Sequence, residues 1–263
     1  MKRILIRGIT GSMGVETASM IISHSDYKLV AGLAEENLNV DLSRLTGLSK
    51  ATDVSIFADL KEAVLSTKPD IMIDFTVPDG LLPALKQALD LGLDLIIGTT
   101  GLQEDEIQEL KAYTEDKSAT TMLIPNFSLG AVLMMEFASK ASKYFPRAEI
   151  IEGHHENKAD APSGTSIATA EKLEKTEPFL KEEEIKYTIE GVRGGEKNNV
   201  RIHSLRLPGL MARQEVIFGG QGQTFTLTHN TISRSSYMPG VRLALDRIED
   251  KSGFIYGLDK LLD

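Results

Sequence analysis

What most constrains this chain is a rhythm in its first 126 residues, where apolar runs of four to six residues alternate with amphipathic stretches of helical period. Residues 3–7 (RILIR), 28–33, 70–75 (DIMIDF), 94–97 and 121–124 read as strands. Residues 13–23, 60–66 (capped by Asp59), 81–91 and 103–114 read as helices. Near-continuous apolar strands separated by helices must be buried on both faces, and that dictates a parallel sheet with helices on either side. Residues 39–52 break the rhythm and read as an irregular loop. After Pro125-Asn126 the pattern changes to a long Met- and Ala-rich helix at 128–144, a strand at 148–153, and a loop and helix at 157–175. Three alternating runs follow at 200–207, 214–218 and 224–229; alternation as in TFTLTH leaves one face wetter, as in an antiparallel or mixed sheet. Met134 and Met135 read as core filler, and the acidic and lysine-rich run 171–184 as a solvated helix and loop. Residues 240–250 return to helix. The expected fold class is α/β followed by α+β: a parallel-sheet domain over 1–126, with 236–263 packing back on it, and a mixed-sheet domain over 127–235.

Composition narrows the function classes. Lys and Arg number 29 against 38 Asp and Glu, a net charge of −9 that argues against nucleic acid as a partner. No apolar run approaches the ~20 residues of a membrane span, and the basic start MKRILIRGIT reads as a strand rather than a secretion signal, so no membrane partner is expected and a cytoplasmic location is. The absence of cysteine removes disulfides, zinc thiolates, iron–sulfur clusters and a thiol nucleophile together.

The sequence GITGSMG at 8–14 follows the first strand and opens the first helix. Gly8, Gly11 and Gly14, with Ser12 and Met13 between the last two, form a G-x-x-G-x-x-G variant of the dinucleotide fingerprint. Glycines there let the backbone turn tightly against a pyrophosphate whose charge meets the helix N-terminus, as in a Rossmann-like domain; taken alone the motif also fits a plain strand-to-helix turn, and its context adds weight. Glu35 lies 21 residues beyond Gly14, where an acidic side chain accepts hydrogen bonds from the adenine ribose. Glu36 follows, so no cation stands there for a 2′-phosphate. NADH is expected to bind at least as well as NADPH, unless Arg7 or Arg44 supplies that cation. Further loops close strands at Phe75-Thr76-Val77-Pro78, Gly98-Thr99-Thr100-Gly101 and Pro125-Asn126-Phe127-Ser128. At the carboxyl ends of parallel strands such loops line a ligand crevice, which makes Phe75, Gly98, Thr99, Thr100, Asn126 and Phe127 candidate cofactor contacts. Asp74 and Asp79 lack the spacing evidence for a paired-carboxylate hydrolase.

The densest chemistry is EGHHENKADAPSGTS at 152–166. His154, His155 and Lys158 cluster as donors, and Ser163 and Thr165 are candidate caps of a helix whose N–H groups would hold an anion. A negatively charged substrate fits this local field despite the acidic whole. A metal site competes; it needs a third ligand such as His203 or His229, and no H-E-x-x-H spacing supports one. His203 by itself reads as a core or interface histidine, and the roles of His229 and Arg234 stay open.

The stretch 152–166 resembles the signature of the dihydrodipicolinate reductase family of bacterial diaminopimelate and lysine synthesis. The resemblance extends over nearly the whole chain: GITGSMG, GTTG at 98–101, NFS at 126–128 and IHSLRLPGLMARQEVIFGGQG at 202–222 stand in the expected order. It implies reduction of a hydroxylated tetrahydropyridine dicarboxylate by NADH or NADPH, with loss of water, in a homotetramer assembled through the second domain. It also implies His154 as general acid, Lys158 as the second cation of the catalytic pair, His155 as a substrate contact, and Ser163, Gly164 and Thr165 as binders of one carboxylate. No metal is part of the scheme. Cofactor and substrate sites on separate domains would call for closure between them. Many members carry a basic residue where Ser12 stands, and some where Glu36 stands; their absence here weakens any inference of NADPH preference. On the residues alone two readings compete: another nicotinamide oxidoreductase, and an NADH-sensing regulator that needs neither His154 nor Lys158. The missing cysteine argues against a semialdehyde dehydrogenase, and no DNA-reading element supports a sensor.

Overall fold

Burial of both strand faces in the N-terminal half is realised as a seven-stranded, wholly parallel sheet. The computed structural model describes residues 1–35, 42–43, 54–174, 179–180 and 186–262. In chain order the strands are β1 (Lys2–Arg7), β2 (Tyr27–Leu33), β3 (Ser55–Phe57), β4 (Ile71–Asp74), β5 (Asp94–Ile97), β6 (Thr120–Leu123), β7 (Arg147–His154), β8 (Gly195–Lys197), β9 (Val200–Arg206), β10 (Ala212–Gly220), β11 (Gln223–Thr231) and β12 (Gly253–Tyr256). The helices among the described residues are α1 (Ser12–Ser23), α2 (Leu60–Thr67), α3 (Leu81–Asp90), α4 (Glu104–Lys117), α5 (Leu129–Ala141), α6 (Gly164–Glu174) and α7 (Met238–Arg247). They divide into two units, Met1–Phe127 with Tyr237–Asp263, and Ser128–Ser236.

In the first unit the strand order is β12-β6-β5-β4-β1-β2-β3. The chain winds outward from β1 to β3, then returns to the other side of β1, so the order reverses between β1 and β4. Loops leaving the carboxyl ends of those two strands diverge there and open a crevice. Leu5, Met72 and Leu95 from adjacent strands pack with Leu81 and Leu85 of α3 in the core beneath it. Asp59 caps α2, its Oδ1 accepting the Glu62 amide at 2.8 Å, as its position before an apolar run predicts. Gln103 and Glu106 form a capping box at α4. Helix α7 lies against Phe127 closely enough that a Cβ at Gly240 would sit 2.0 Å from the Phe127 carbonyl oxygen.

The second unit is a five-stranded mixed sheet, ordered β11-β10-β7-β9-β8, in which only β7 and β9 run parallel. Met134 and Ala138 of α5 and Ala170 and Leu173 of α6 pack on Ile150, Ile202, Val216 and Phe218 from one face of the sheet. Met134 is therefore core, as read; Met135 is half-buried.

Three sequence expectations differ in detail. The helix read over 128–144 ends at Ala141, and Ser142–Tyr144 tightens into a 3-10 turn; likewise Ile248–Asp250 is a 3-10 turn after α7. Strands β3, β8 and β12 are not marked in the sequence, because SIF, GEK and GFIY become strands through their pairing with β2, β9 and β6. The loop read at 39–52 lies outside the described residues except for Leu42 and Ser43, as do Glu36, Arg44 and much of 171–184.

Candidate active site

In the first unit, β1 ends at Arg7 and α1 begins at Ser12, so residues 8–11 must turn the chain. Gly8 takes φ +82°, and a Cβ there would stand 2.4 Å from the Phe75 carbonyl oxygen. Gly14 lets the first turn of α1 rest on Gly8, whose carbonyl oxygen would be 2.2 Å from a Cβ. Gly11 is the N-cap and no side chain caps the helix, which leaves its first N–H groups and positive dipole end facing outward beside exposed Ser12 and half-buried Met13. Next to this turn is a cavity of about 460 Å³ with Arg7, Gly8, Leu33, Glu35, Asp59 and Thr76 on its walls.

Asp74, at the end of β4, has no exposed surface. Its Oδ2 accepts Arg7 at 2.7 Å, and its Oδ1 accepts the hydroxyls of Thr99 at 2.5 Å and Thr76 at 2.9 Å. Thr99 Oγ1 in turn accepts the Thr76 amide at 2.7 Å. One carboxylate thus ties together the loops after β1, β4 and β5, and the Arg7 charge is matched within the protein. The Thr99 hydroxyl is engaged in this knot, whereas Thr100 is exposed. Gly98 makes room for the Phe75 ring, which a Cβ would meet at 2.2 Å; Phe75 meets Phe127 edge-on at 5.6 Å, next to half-buried Asn126.

In the second unit, Glu152 and His154 are two residues apart on β7, so the pleat puts both on one face. Glu152 is fully buried, with Oε2 2.5 Å from His154 Nδ1 and Oε1 accepting Arg206 at 2.9 Å. Arg206 stands opposite His154 on β9 and also donates to the Asp160 carbonyl at 2.5 Å. Lys158 Nζ reaches Asp160 Oδ1 at 2.6 Å. Two strand ends and the following loop are joined by one chain of charges. Burial opposes ionisation of Glu152, but hydrogen bonds from Ser204, Arg206 and His154 outweigh it and hold its pKa below the ordinary carboxylate value. Burial lowers the pKa of His154 below 6.5, with Lys158 and Arg206 adding to the effect and Glu152 opposing it. His155 is exposed.

Ser163 is buried and caps α6: its hydroxyl lies 2.8 Å from that of Ser166 and accepts the Ser166 amide at 3.3 Å. The chain continues inward through Gln214 to Thr169, whose hydroxyl donates to the Thr165 carbonyl at 2.7 Å. This buried network fixes the first turn of α6 and leaves Gly164 exposed, with no atom within 4 Å of a would-be Cβ. His203 and His229 go elsewhere. His203 Nε2 is 2.8 Å from Glu149, which Arg193 also engages, and His229 Nε2 is 3.4 Å from Ser128 Oγ with its ring against Gly130. Among the described residues no group of three or more His, Cys, Asp or Glu side chains is arranged to hold a metal ion.

Family models described as "Dihydrodipicolinate reductase, N-terminus" and "Dihydrodipicolinate reductase, C-terminus" match residues 2–127 and 130–262. The chain belongs to the dihydrodipicolinate reductase family. A 4-hydroxy-tetrahydrodipicolinate reductase of Listeria innocua is 43% identical over 99% of this chain and 100% of its own length. Its counterpart from Syntrophomonas wolfei is 42% identical over 99% and 98%. A solved structure of dipicolinate-bound dihydrodipicolinate reductase from Paenisporosarcina sp. TG-14 covers 100% of both chains with a TM-score of 0.89 and 37% identity. An amine dehydrogenase from Mycobacterium smegmatis, at 12% identity and a TM-score of 0.67 over 100% of this chain and 96% of its own, shares the fold alone. The resemblance read from 152–166 and the two-sheet fold class therefore hold. Within this dihydrodipicolinate reductase fold, the reading of residues passed over Glu152, Arg206 and Asp160 as partners of the His-Lys loop, and the Asp74 knot. The i, i+2 spacing of Glu152 and His154 on a strand was the available signal for the first.

Proposed function

We propose that this chain reduces 4-hydroxy-tetrahydrodipicolinate to tetrahydrodipicolinate with loss of water, using NADH or NADPH, as a cytoplasmic step of diaminopimelate and lysine synthesis. The observation that carries the reading is the loop after β7: His154, Lys158 and the exposed N-terminus of α6 at Gly164 bring a proton-transfer group, a cation and helix-terminal backbone amides to one loop, a set suited to a dicarboxylate. Relatives bearing the reductase name align along 99% of the chain, which supports it.

A bound dinucleotide would supply hydride. The uncapped N-terminus of α1 and the close-packed Gly8, Gly11 and Gly14 fit its pyrophosphate, because any Cβ at Gly8 or Gly14 would fill the space. Glu35, on the cavity wall, would accept the ribose hydroxyls. Phe75, Gly98, Thr100, Asn126 and Phe127 would wall the nicotinamide end, with Thr99 acting through the Asp74 knot that shapes their loops. On the substrate side, Gly164 and Thr165 would take one carboxylate at the dipole end of α6, and Ser163 would serve by holding that turn. His155 and Lys158 would meet the substrate across the loop, and His154 would move the proton.

With Arg7 engaged by Asp74, the described wall of the cavity offers an acidic group and no spare cation for a 2′-phosphate. NADH is therefore read as binding at least as well as NADPH. The sheet face opposite α5 and α6 is read as the surface through which four chains assemble.

The test couples the purified protein to dihydrodipicolinate synthase, pyruvate and aspartate semialdehyde, and follows oxidation of NADH and of NADPH in parallel. Synthase-dependent loss of either cofactor is expected. No loss with either, from folded protein, overturns the reading; a far tighter NADPH overturns the cofactor preference alone.

A further inference from the structure

Glu152 has no part in the scheme above, although it is buried against the residue that moves the proton. Its carboxylate meets donors from two strands, His154 on β7 and Ser204 and Arg206 on β9. We propose that Glu152 is a positioning residue for His154: its carboxylate, clamped by Arg206, holds the imidazole with Nδ1–H turned onto Glu152 and the Nε2 lone pair left for the substrate. The chemistry of this inference rests on the function proposed above; the tautomer does not.

An ionised carboxylate can only accept hydrogen bonds, so the nitrogen 2.5 Å from it must donate. Three donors keep Glu152 ionised against the cost of its burial. Arg206 does more than neutralise it. The guanidinium also holds the Asp160 carbonyl, so the carboxylate that orients His154 and the loop that carries Lys158 share one anchor. Among the described residues Nε2 has no hydrogen-bond partner. The charged groups facing His154 are Glu152 from its own strand, Arg206 from β9, and Lys158 with its partner Asp160 from the loop; Ala212, opposite on β10, adds none. Burial with two cations nearby keeps the imidazole neutral at rest near pH 7.

A neutral imidazole with a bare Nε2 must take a proton before it can give one. In the loss of water, Nε2 takes the proton from the ring carbon beside the one bearing the hydroxyl. The C–H electron pair becomes the new C=C bond, the C–O bond breaks, and the departing hydroxide takes a proton from the Lys158 ammonium, which regains one from solvent. The imidazolium, held by ionised Glu152, then returns its proton to the same ring carbon when the ring is reduced. His154 ends neutral, and one solvent proton is consumed per turnover. His154 thus acts as base and then as acid, with Glu152 stabilising the charged form between the two.

Two measurements decide. Long-range proton–nitrogen spectra of the substrate-free protein, labelled with nitrogen-15 at histidine and assigned by loss of the His154 signal in His154→Gln, are expected to show protonated Nδ1 and unprotonated Nε2 near neutral pH. A protonated Nε2 overturns the proposal. The near-isosteric Glu152→Gln, its folding checked by Tm, is expected to mix the tautomers and lower kcat by ~10-fold or more. KM for NADH should stay unchanged, and the acid limb of the pH profile should move to lower pH because the imidazolium has lost its counter-charge. Glu152→Asp is expected to recover part of kcat. Wild-type kcat and an unmoved acid limb in Glu152→Gln overturn the proposal; if that variant does not fold, the wild-type spectrum decides. A wild-type protein with the expected tautomer that oxidises no cofactor sinks the reductase reading and leaves the positioning of His154 standing.

Discussion

At the scale of single residues, His154 and Lys158 differ in what their loss should cost. Lys158 is a half-buried cation of the loop whose ammonium, among the described residues, is bonded to Asp160, so Lys158→Ala removes charge without opening a core. It is expected to lower kcat by roughly 10²-fold or more while NADH affinity, measured by fluorescence titration, stays near wild type. His154→Gln should retain a residual rate from positioning alone. Equal loss of dinucleotide binding in Lys158→Ala would mean that cofactor and substrate groups are not housed separately. These two residues were legible because His and Lys advertise proton transfer and charge wherever they stand. Their support was not. Glu152 and Arg206 are separated by 54 residues, and only the pairing of β7 with β9 brings them together. His229 carries a second residue-scale prediction. Burial alone lowers its pKa below 6.5, so the unfolded chain binds that proton at a higher pH than the folded chain does. Its stabilising contribution is complete above the unfolded value and is lost as pH falls through the folded one. Tm should decline from about pH 7 toward about pH 5, and less steeply in His229→Gln. Identical slopes would show that His229 does not titrate with unfolding.

At the scale of elements, the turn between β1 and α1 separates two glycines that look equivalent in the sequence. A Cβ at Gly14 would lie 2.2 Å from the Gly8 carbonyl oxygen and 2.7 Å from Ile9 Cα, both backbone, so something must shift. At Gly11 the nearest such contact is 3.3 Å, a tight fit that a small adjustment relieves. Gly14→Ala is expected to weaken NADH binding at least ~10-fold by displacing the start of α1, and Gly11→Ala far less. A titration giving equal affinities would remove the turn from the cofactor site. The cap of α2 gives a milder case. Asp59→Ala removes the acceptor of the Glu62 amide and should cost about 1 kcal/mol in denaturant unfolding, with little change in the slope. Strands buried on both faces and capped helices were readable because burial and capping each leave a local mark. β8 and β12 were not, because GEK and GFIY become strands through their pairing with β9 and β6 rather than through any pattern of their own.

At the scale of the whole molecule, the C-terminal segment completes a unit begun more than a hundred residues earlier. β12 covers the edge of β6 that would otherwise be open, and Gly240 lets α7 reach the Phe127 backbone. The second sheet carries α5 and α6 on one face, and among the described residues its other face has no helix packed on it. Val216 and Phe218 point into the core with α5 and α6, so Ile217 between them points the other way, as does Ile151 between Ile150 and Glu152. Leu205 is exposed on β9, the threonines at 224, 226 and 228 line β11, and Glu149 with His203 and Arg193 adds ionic groups. A mixed sheet tolerates one wet face, but half-buried Ile151 and Ile217 beside exposed Leu205, framed by paired charges, suit a surface that meets copies of itself. Sedimentation at micromolar concentration is expected to give about four times the 28.8 kDa chain mass. Ile217→Asp should shift the protein to smaller species while its NADH affinity stays within about twofold, because burying a carboxylate without a partner is costly and the cofactor loops belong to the other unit. A wild-type monomer would end the assembly reading. A variant that still forms the full oligomer would move the interface off this face.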